Sequence, residues 1–226
     1  MPQQRRWHVF DSPGSLAAAA VVAILAAARV AIAERGAFHL VLAGGTTPKR
    51  VYETLGGESA DWQHWHIYFG DERCLPPDDA ERNSRMAVEA WLSRVAIPSA
   101  QVFPIAAERG PAAAAAEYAR ILAHRGLFDL VLLGLGEDGH TASLFPGRFK
   151  VTAAQAALAV FDAPKPPRER VSLSARRLSK ARQVIFLVTG SAKAAAVAAW
   201  RSGVAIPASA IQPTAGVDIY LEALLA

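Results

Sequence analysis

The sequence has a single cysteine, Cys74, in 226 residues, which excludes an intrachain disulfide framework and any zinc cluster built on several cysteines. A chain so poor in cysteine fits a reducing compartment. Lysine is scarce as well. Only 5 of the 24 basic residues are lysines, and against 20 acidic residues the net charge is +4. Basic residues never run longer than two in succession, so a nucleic-acid partner is not indicated, whereas a small anionic substrate is compatible. Charged residues make up 19% of the chain and hydrophobic residues 52%. That is too apolar for a disordered chain and ample for the core of one domain spanning residues 1–226. No repeat of solenoid period is visible, and no set of His, Cys and carboxylate residues has the spacing of a metal site.

The longest uncharged stretch considered for targeting is Leu16–Ala28, thirteen residues, with Arg5-Arg6 upstream as in a secretory leader. Asp11, Pro13 and Gly14 intervene, the run is mostly alanine, and Arg29 and Glu34 continue the same helical pattern. It reads as a core-facing helix capped by Ser12 or Ser15 and too short to span a bilayer. The expectation is a cytoplasmic protein without membrane contact, a monomer or weak homo-oligomer.

Short β-rich apolar runs alternate with alanine-rich helical stretches, the pattern of an α/β fold on a largely parallel sheet. Strands are expected near Trp7–Phe10, Phe38–Ala43, His66–Phe69, Gln101–Pro104, Phe128–Leu133, Ala157–Phe161, Val171–Leu173 and Gln183–Val188. Helices are expected over Ser15–Glu34, Pro48–Leu55, Asn83–Val95, Pro111–Arg125, a short stretch after Thr141, Ala175–Ser179 and Ala192–Trp200. The polar segment Asp71–Arg82 and the proline-rich Pro164–Arg168 read as loops inside one domain.

Ligands of open parallel sheets bind at the carboxyl ends of strands, and four segments there carry chemistry. Gly44-Gly45-Thr46-Thr47 joins a strand to a helix. Its glycines permit close backbone approach, and its hydroxyls and helix-start N–H groups can hold an anion. The plainer reading is a turn with a threonine cap. The Lys-Ser/Thr ending of a nucleotide loop is missing. Asp71-Glu72-Arg73 clusters two acids and an arginine at a strand end; the plainer reading is a surface turn with an ion pair. Gly134-Leu-Gly136-Glu137-Asp138-Gly139-His140 matches G-x-G-x-x-G, with Asp162 following 23 residues after Gly139. Two carboxylates would then face a pyrophosphate, however, and Pro146-Gly147 cuts the helix short, which argues against a dinucleotide. Acid–base chemistry suits the loop better, with Asp138 orienting the His140 ring. Finally, Arg170 opens a strand, and Lys193 stands in the first turn of a helix capped by Ser191, where a cation is unfavourable unless an anion binds. The remaining histidines read as structural, and Cys74 as a passive small residue.

In order, Leu42–Lys49, Gly70–Pro77 with Asn83, Gly134–Pro146, and Arg170 with Gly190–Lys193 resemble the 6-phosphogluconolactonase family over about residues 8–210. The third segment is the most specific; the first and fourth are shared with sugar-phosphate isomerases of related fold. The resemblance implies an open, mostly parallel, doubly wound Rossmann-like sheet with helices on both faces. It also implies hydrolysis of 6-phospho-D-glucono-1,5-lactone to 6-phosphogluconate in the pentose phosphate pathway, with no cofactor or metal. The family's general base matches His140, and its acid and arginine match Asp71 and Arg73. The phosphate-binding positions match Gly44, Gly45, Thr46, Arg170 and Lys193, with Thr47 in the same loop. Ala215–Glu222 departs from the family's tryptophan-rich ending, and Arg82 is a smaller departure. A glucosamine-6-phosphate deaminase of this fold would carry tyrosine at the position of Arg73. A sugar-phosphate sensor would need a DNA-binding module, for which the residues before Trp7 are too few.

Overall fold

The computed structural model describes residues 3–226. β1 (Arg5–Phe10) leads through α1 (Pro13–Arg35) to β2 (Phe38–Leu42) and α2 (Thr46–Leu55). Next come β3 (Trp65–Phe69), β4 (Asp71–Arg73), α3 (Asn83–Ala90), β5 (Val102–Phe103) and α4 (Pro111–Leu122). The chain continues through β6 (Phe128–Gly134), β7 (Ala157–Val160), β8 (Arg170–Leu173) and α5 (Ala175–Ser179). It ends with β9 (Ala181–Val188), α6 (Ala194–Arg201) and β10 (Val217–Glu222). β2 and β6 are nearly continuous apolar runs with almost every side chain buried, as expected of parallel strands covered on both faces.

Seven strands form one sheet in the order β1-β10-β9-β6-β2-β3-β5, and every pairing in it is parallel. From β6 the chain winds through β9 to β10 in one direction; from β2 it winds through β3 to β5 in the other. Right-handed crossovers in opposite directions put helices on both faces of this doubly wound sheet. The reversal falls between β2 and β6, so a crevice opens there at the carboxyl ends. The loops that leave these two strands are the glycine-threonine loop and the His140 loop.

α1 begins where Ser12 Oγ accepts the Ser15 N–H at 3.1 Å. Leu16, Ala20, Ile24, Ala28 and Ala31 recur at helical spacing on its buried face, which packs on the sheet. The thirteen uncharged residues understate it. The whole helix, Pro13–Arg35, is long and apolar enough by length and composition to cross a membrane.

Four other expectations are corrected. Asp71–Arg73 is not a turn but a strand, β4, paired antiparallel with β8, which in turn pairs with β7 in a small second sheet. Val217–Glu222 forms β10, which the sequence reading did not include; it lies between β1 and β9. No helix follows Thr141; a Thr141–Leu144 bridge and turns take its place, consistent with Pro146 breaking the pattern. The last helix starts at Ala194 rather than Ala192, with Ser191–Lys193 forming a 3₁₀ turn without a side-chain cap from Ser191.

Candidate active site

The His140 loop is a tight turn. Gly136 N–H donates to the His140 carbonyl at 2.7 Å, and Thr141 Oγ1 donates to the Gly134 carbonyl at 2.8 Å. The ring folds back over Gly136 so closely that a Cβ there would collide with it, which is why the loop needs glycine at that position. Asp138 Oδ1 lies 2.5 Å from His140 Nδ1 and also accepts the His140 N–H at 3.1 Å. Partial burial opposes ionisation of Asp138, yet these hydrogen bonds hold its carboxyl below the usual value. An ionised Asp138 accepts a hydrogen bond from Nδ1–H, which keeps the ring proton on Nδ1 and leaves Nε2 as the basic nitrogen. Phe145, which the sequence reading passed over, packs its ring 4.6 Å from that of His140.

The ring borders a cleft of about 200 Å³ at the strand-order reversal, shared with Gly44, Gly45, Asp71, Arg73, Arg170 and Lys193. Three of these residues are cations. Arg73 and Arg170 stand directly opposite on β4 and β8, an arrangement that costs energy unless an anion lies between like charges. Arg170 is buried and held by carbonyls: its Nε donates to Pro167 at 3.0 Å, and its Nη2 to Lys165 and Pro166 at 3.1 Å. The proline-rich loop is therefore the cradle of this guanidinium, which also lies over the Phe145 ring. Burial pushes Arg170 below its ordinary value, and the charge of Arg73 adds to this against the pull of Asp71. Arg73 donates to the Glu81 carbonyl, while its buried Nε has no partner. Among the described residues none of the three cations has a carboxylate within ion-pair distance.

The glycine loop is shaped from below. Tyr52 is fully buried, and its hydroxyl both donates to the Ala43 carbonyl and accepts the Ala43 N–H, each at 2.9 Å. Gly44 runs against Asn83, and any Cβ at Gly44 would strike the Asn83 amide. Gly45 caps the start of α2 with no side-chain hydrogen bond, so the threonine-cap reading fails and the first N–H groups remain available to an anion. Thr47 Oγ1 is committed to Thr189 Oγ1 at 2.7 Å. That bond ties the glycine loop to the segment bearing Lys193. Thr46 is exposed, and Thr46, Thr47 and Asp138 stand outside the cleft wall itself.

Behind β4, Glu72 is fully buried and accepts the N–H groups of Asn83 at 2.7 Å and Ser84 at 2.8 Å. A carboxylate at the start of α3 is well placed against the helix dipole. Arg82, with its Nε 3.5 Å from Glu72 and its Nη1 2.8 Å from Glu108, balances that buried charge. The acidic dipeptide thus divides: Glu72 anchors α3, and Asp71 faces the cleft. Cys74 lies outside this machinery, its thiol pushed up to about 11, chiefly by burial. His39 and His66 stack in the sheet at 4.7 Å, and burial drives His39 down to about 4.

Comparison with known proteins agrees with this fold. Residues 11–220 match the family model described as glucosamine-6-phosphate isomerases/6-phosphogluconolactonase. The chain is 38% identical over 220 residues to a 6-phosphogluconolactonase of Mycobacterium tuberculosis, covering 89% of both proteins. It is 39% identical over 183 residues to that of Synechocystis sp., covering 77% of this chain and 75% of the relative. The solved structure of 6-phosphogluconolactonase from Trypanosoma brucei superposes with a TM-score of 0.89 at 29% identity, over 99% of this chain and 98% of that one. The chain belongs to the glucosamine-6-phosphate isomerase/6-phosphogluconolactonase family.

Proposed function

We propose that this protein hydrolyses 6-phospho-D-glucono-1,5-lactone to 6-phosphogluconate, with His140 as general base. The observation that carries this reading is one cleft lined both by His140, whose ring Asp138 holds from outside the wall, and by three cations with no carboxylate in ion-pair reach. A lactone is an activated ester, so one positioned base acting on water is sufficient and no covalent nucleophile is required. His140 Nε2 takes a proton from water, and the oxygen attacks C1. Arg73 or backbone N–H groups stabilise the tetrahedral oxyanion. Collapse breaks the bond from C1 to the ring oxygen, which receives the proton held by His140.

The substrate phosphate is assigned to Lys193, Arg170 and the Gly44–Thr47 loop. Binding there positions C1 with energy drawn from a group remote from the reaction. Thr47 contributes by holding the loop through Thr189. Arg73, rather than tyrosine, after the acidic dipeptide favours the lactonase over the deaminase reading. The test is formation of 6-phosphogluconate from fresh lactone, coupled to its dehydrogenase and measured against the spontaneous rate. The reading requires a clear excess over that rate; no excess at micromolar enzyme contradicts it.

A further inference from the structure

Asp71 is a buried carboxylate at the cleft to which the proposed reaction gives no proton. Its two oxygens are already engaged: Oδ1 accepts from Asn83 Nδ2 at 3.0 Å, and Oδ2 accepts from Ser143 Oγ at 2.6 Å. The same Asn83 amide donates to the Asp71 carbonyl at 3.0 Å and packs against Gly44. Ser143, three residues beyond His140, is fixed a second time by its N–H, which donates to Ser172 Oγ at 3.2 Å. One carboxylate therefore joins the three segments that build the cleft: the glycine loop through Asn83, the arginine-bearing small sheet through its own strand, and the His140 loop through Ser143.

From this geometry we infer that Asp71, Asn83 and Ser143 form a positioning clamp. It sets the distance between His140 and the Arg73–Arg170 pair, and Asp71 transfers no proton in the reaction. The inference rests on the lactonase reading above. All three residues are buried, so the hydrogen bonds are shielded and a lost donor leaves an unsatisfied carboxylate oxygen. Ser143 has the larger lever. Its hydroxyl is the side-chain link from the His140 loop to Asp71, whereas Asn83 belongs to a helix also anchored by Glu72.

Two variants separate a clamp from a proton-transfer group. Asp71→Asn keeps the shape and can retain both contacts, because the Ser143 hydroxyl can accept from the new amide, but it removes the basic carboxylate. Ser143→Ala keeps the carboxylate and removes the contact. For a clamp, Asp71→Asn retains kcat within about tenfold and leaves the pH profile of kcat/KM in place. Ser143→Ala then lowers kcat by about 10–10²-fold with a smaller change in KM and an unmoved acid limb, and Ser143→Thr restores part of the loss. A loss of 10² or more in folded Asp71→Asn, with a limb of the pH profile gone, overturns the inference. So does wild-type kcat in Ser143→Ala. If Ser143→Ala does not fold, Asp71→Asn alone decides. All values are ratios to wild type, so failure of the clamp is distinct from failure of the lactonase reading, which would show as absence of wild-type turnover.

Discussion

The two ends of the central sheet hold similar charges and use them differently. At the amino ends, Arg6 lies 2.8 Å from Asp218, His8 Nε2 lies 2.9 Å from the same carboxylate, and Asp129 is approached by Arg35 at 3.0 Å and Arg182 at 3.4 Å. At the carboxyl ends, Arg73, Arg170 and Lys193 share a cleft with no carboxylate in ion-pair reach among the described residues. The nearby acids are otherwise engaged, Asp71 with Asn83 and Ser143, Asp138 with His140. The arginines respond in opposite directions. The hydrogen bond to Asp218 raises Arg6 above its ordinary value, while burial lowers Arg170. Paired charge of the first kind supports the fold. Unpaired positive charge of the second kind is held at a cost and points to an anionic ligand.

The largest effect expected from this contrast is at the carboxyl end. His140→Ala should lower kcat by about 10²–10⁴-fold with a smaller change in KM. Near-wild-type turnover in the folded variant would remove His140 from its role.

A smaller kinetic loss, about 10–10²-fold in kcat, is expected of Arg73→Lys, because lysine lacks the planar fork that faces developing charge. If KM rises instead and kcat holds, Arg73 binds the ground-state substrate, and the oxyanion falls to backbone groups.

At the amino end the expectation is a stability change without a kinetic one. Burial opposes ionisation of Asp218, but hydrogen bonds from Arg6, His8 and Gln183 hold its carboxyl below the usual range. A depressed folded value contributes stability that is present above the unfolded carboxylate value, about 4, and is lost as pH falls through the folded value. Asp218→Asn should therefore cost about 1–3 kcal/mol near neutral pH and flatten the acid limb of the stability curve. Its kcat/KM should stay at the wild-type level. Denaturant unfolding at several pH values, paired with the turnover assay, checks both halves, and an altered kcat/KM would blur the distinction between the two ends.

The same contrast explains what was legible in the sequence. The loops after β2 and β6 stood out because local patterns mark them: an apolar run, then glycines and polar residues, then a helix or a proline. β10 did not, because Asp218 interrupts its apolar run, and the groups that satisfy that carboxylate are 210 or more residues away at His8 and Arg6 or lie on β9 at Gln183. β4 is three charged residues that are a strand only because β8 pairs with them. Tyr52 carries no signature of its own, and Asn83 and Ser143 stand out only as positions of the family resemblance; the work of all three is visible only when Asp71 and Ala43 are brought beside them. Local chemistry was readable, and long-range satisfaction of buried polar groups was not.

The central claim is that the unpaired cations of the cleft hold the substrate phosphate. The most direct test crosses one substitution with two substrates. Charged hydrogen bonds contribute roughly 1.5–3 kcal/mol each, so glucono-1,5-lactone, which lacks the phosphate, should have a kcat/KM at least about 10³-fold below that of the phosphorylated lactone. Lys193→Ala should lower kcat/KM for the phosphorylated lactone by about 10–10²-fold and leave the residual rate on glucono-1,5-lactone almost unchanged. An equal loss on both substrates would place Lys193 at the reacting carbon or in folding, and would contradict a phosphate site built from these cations.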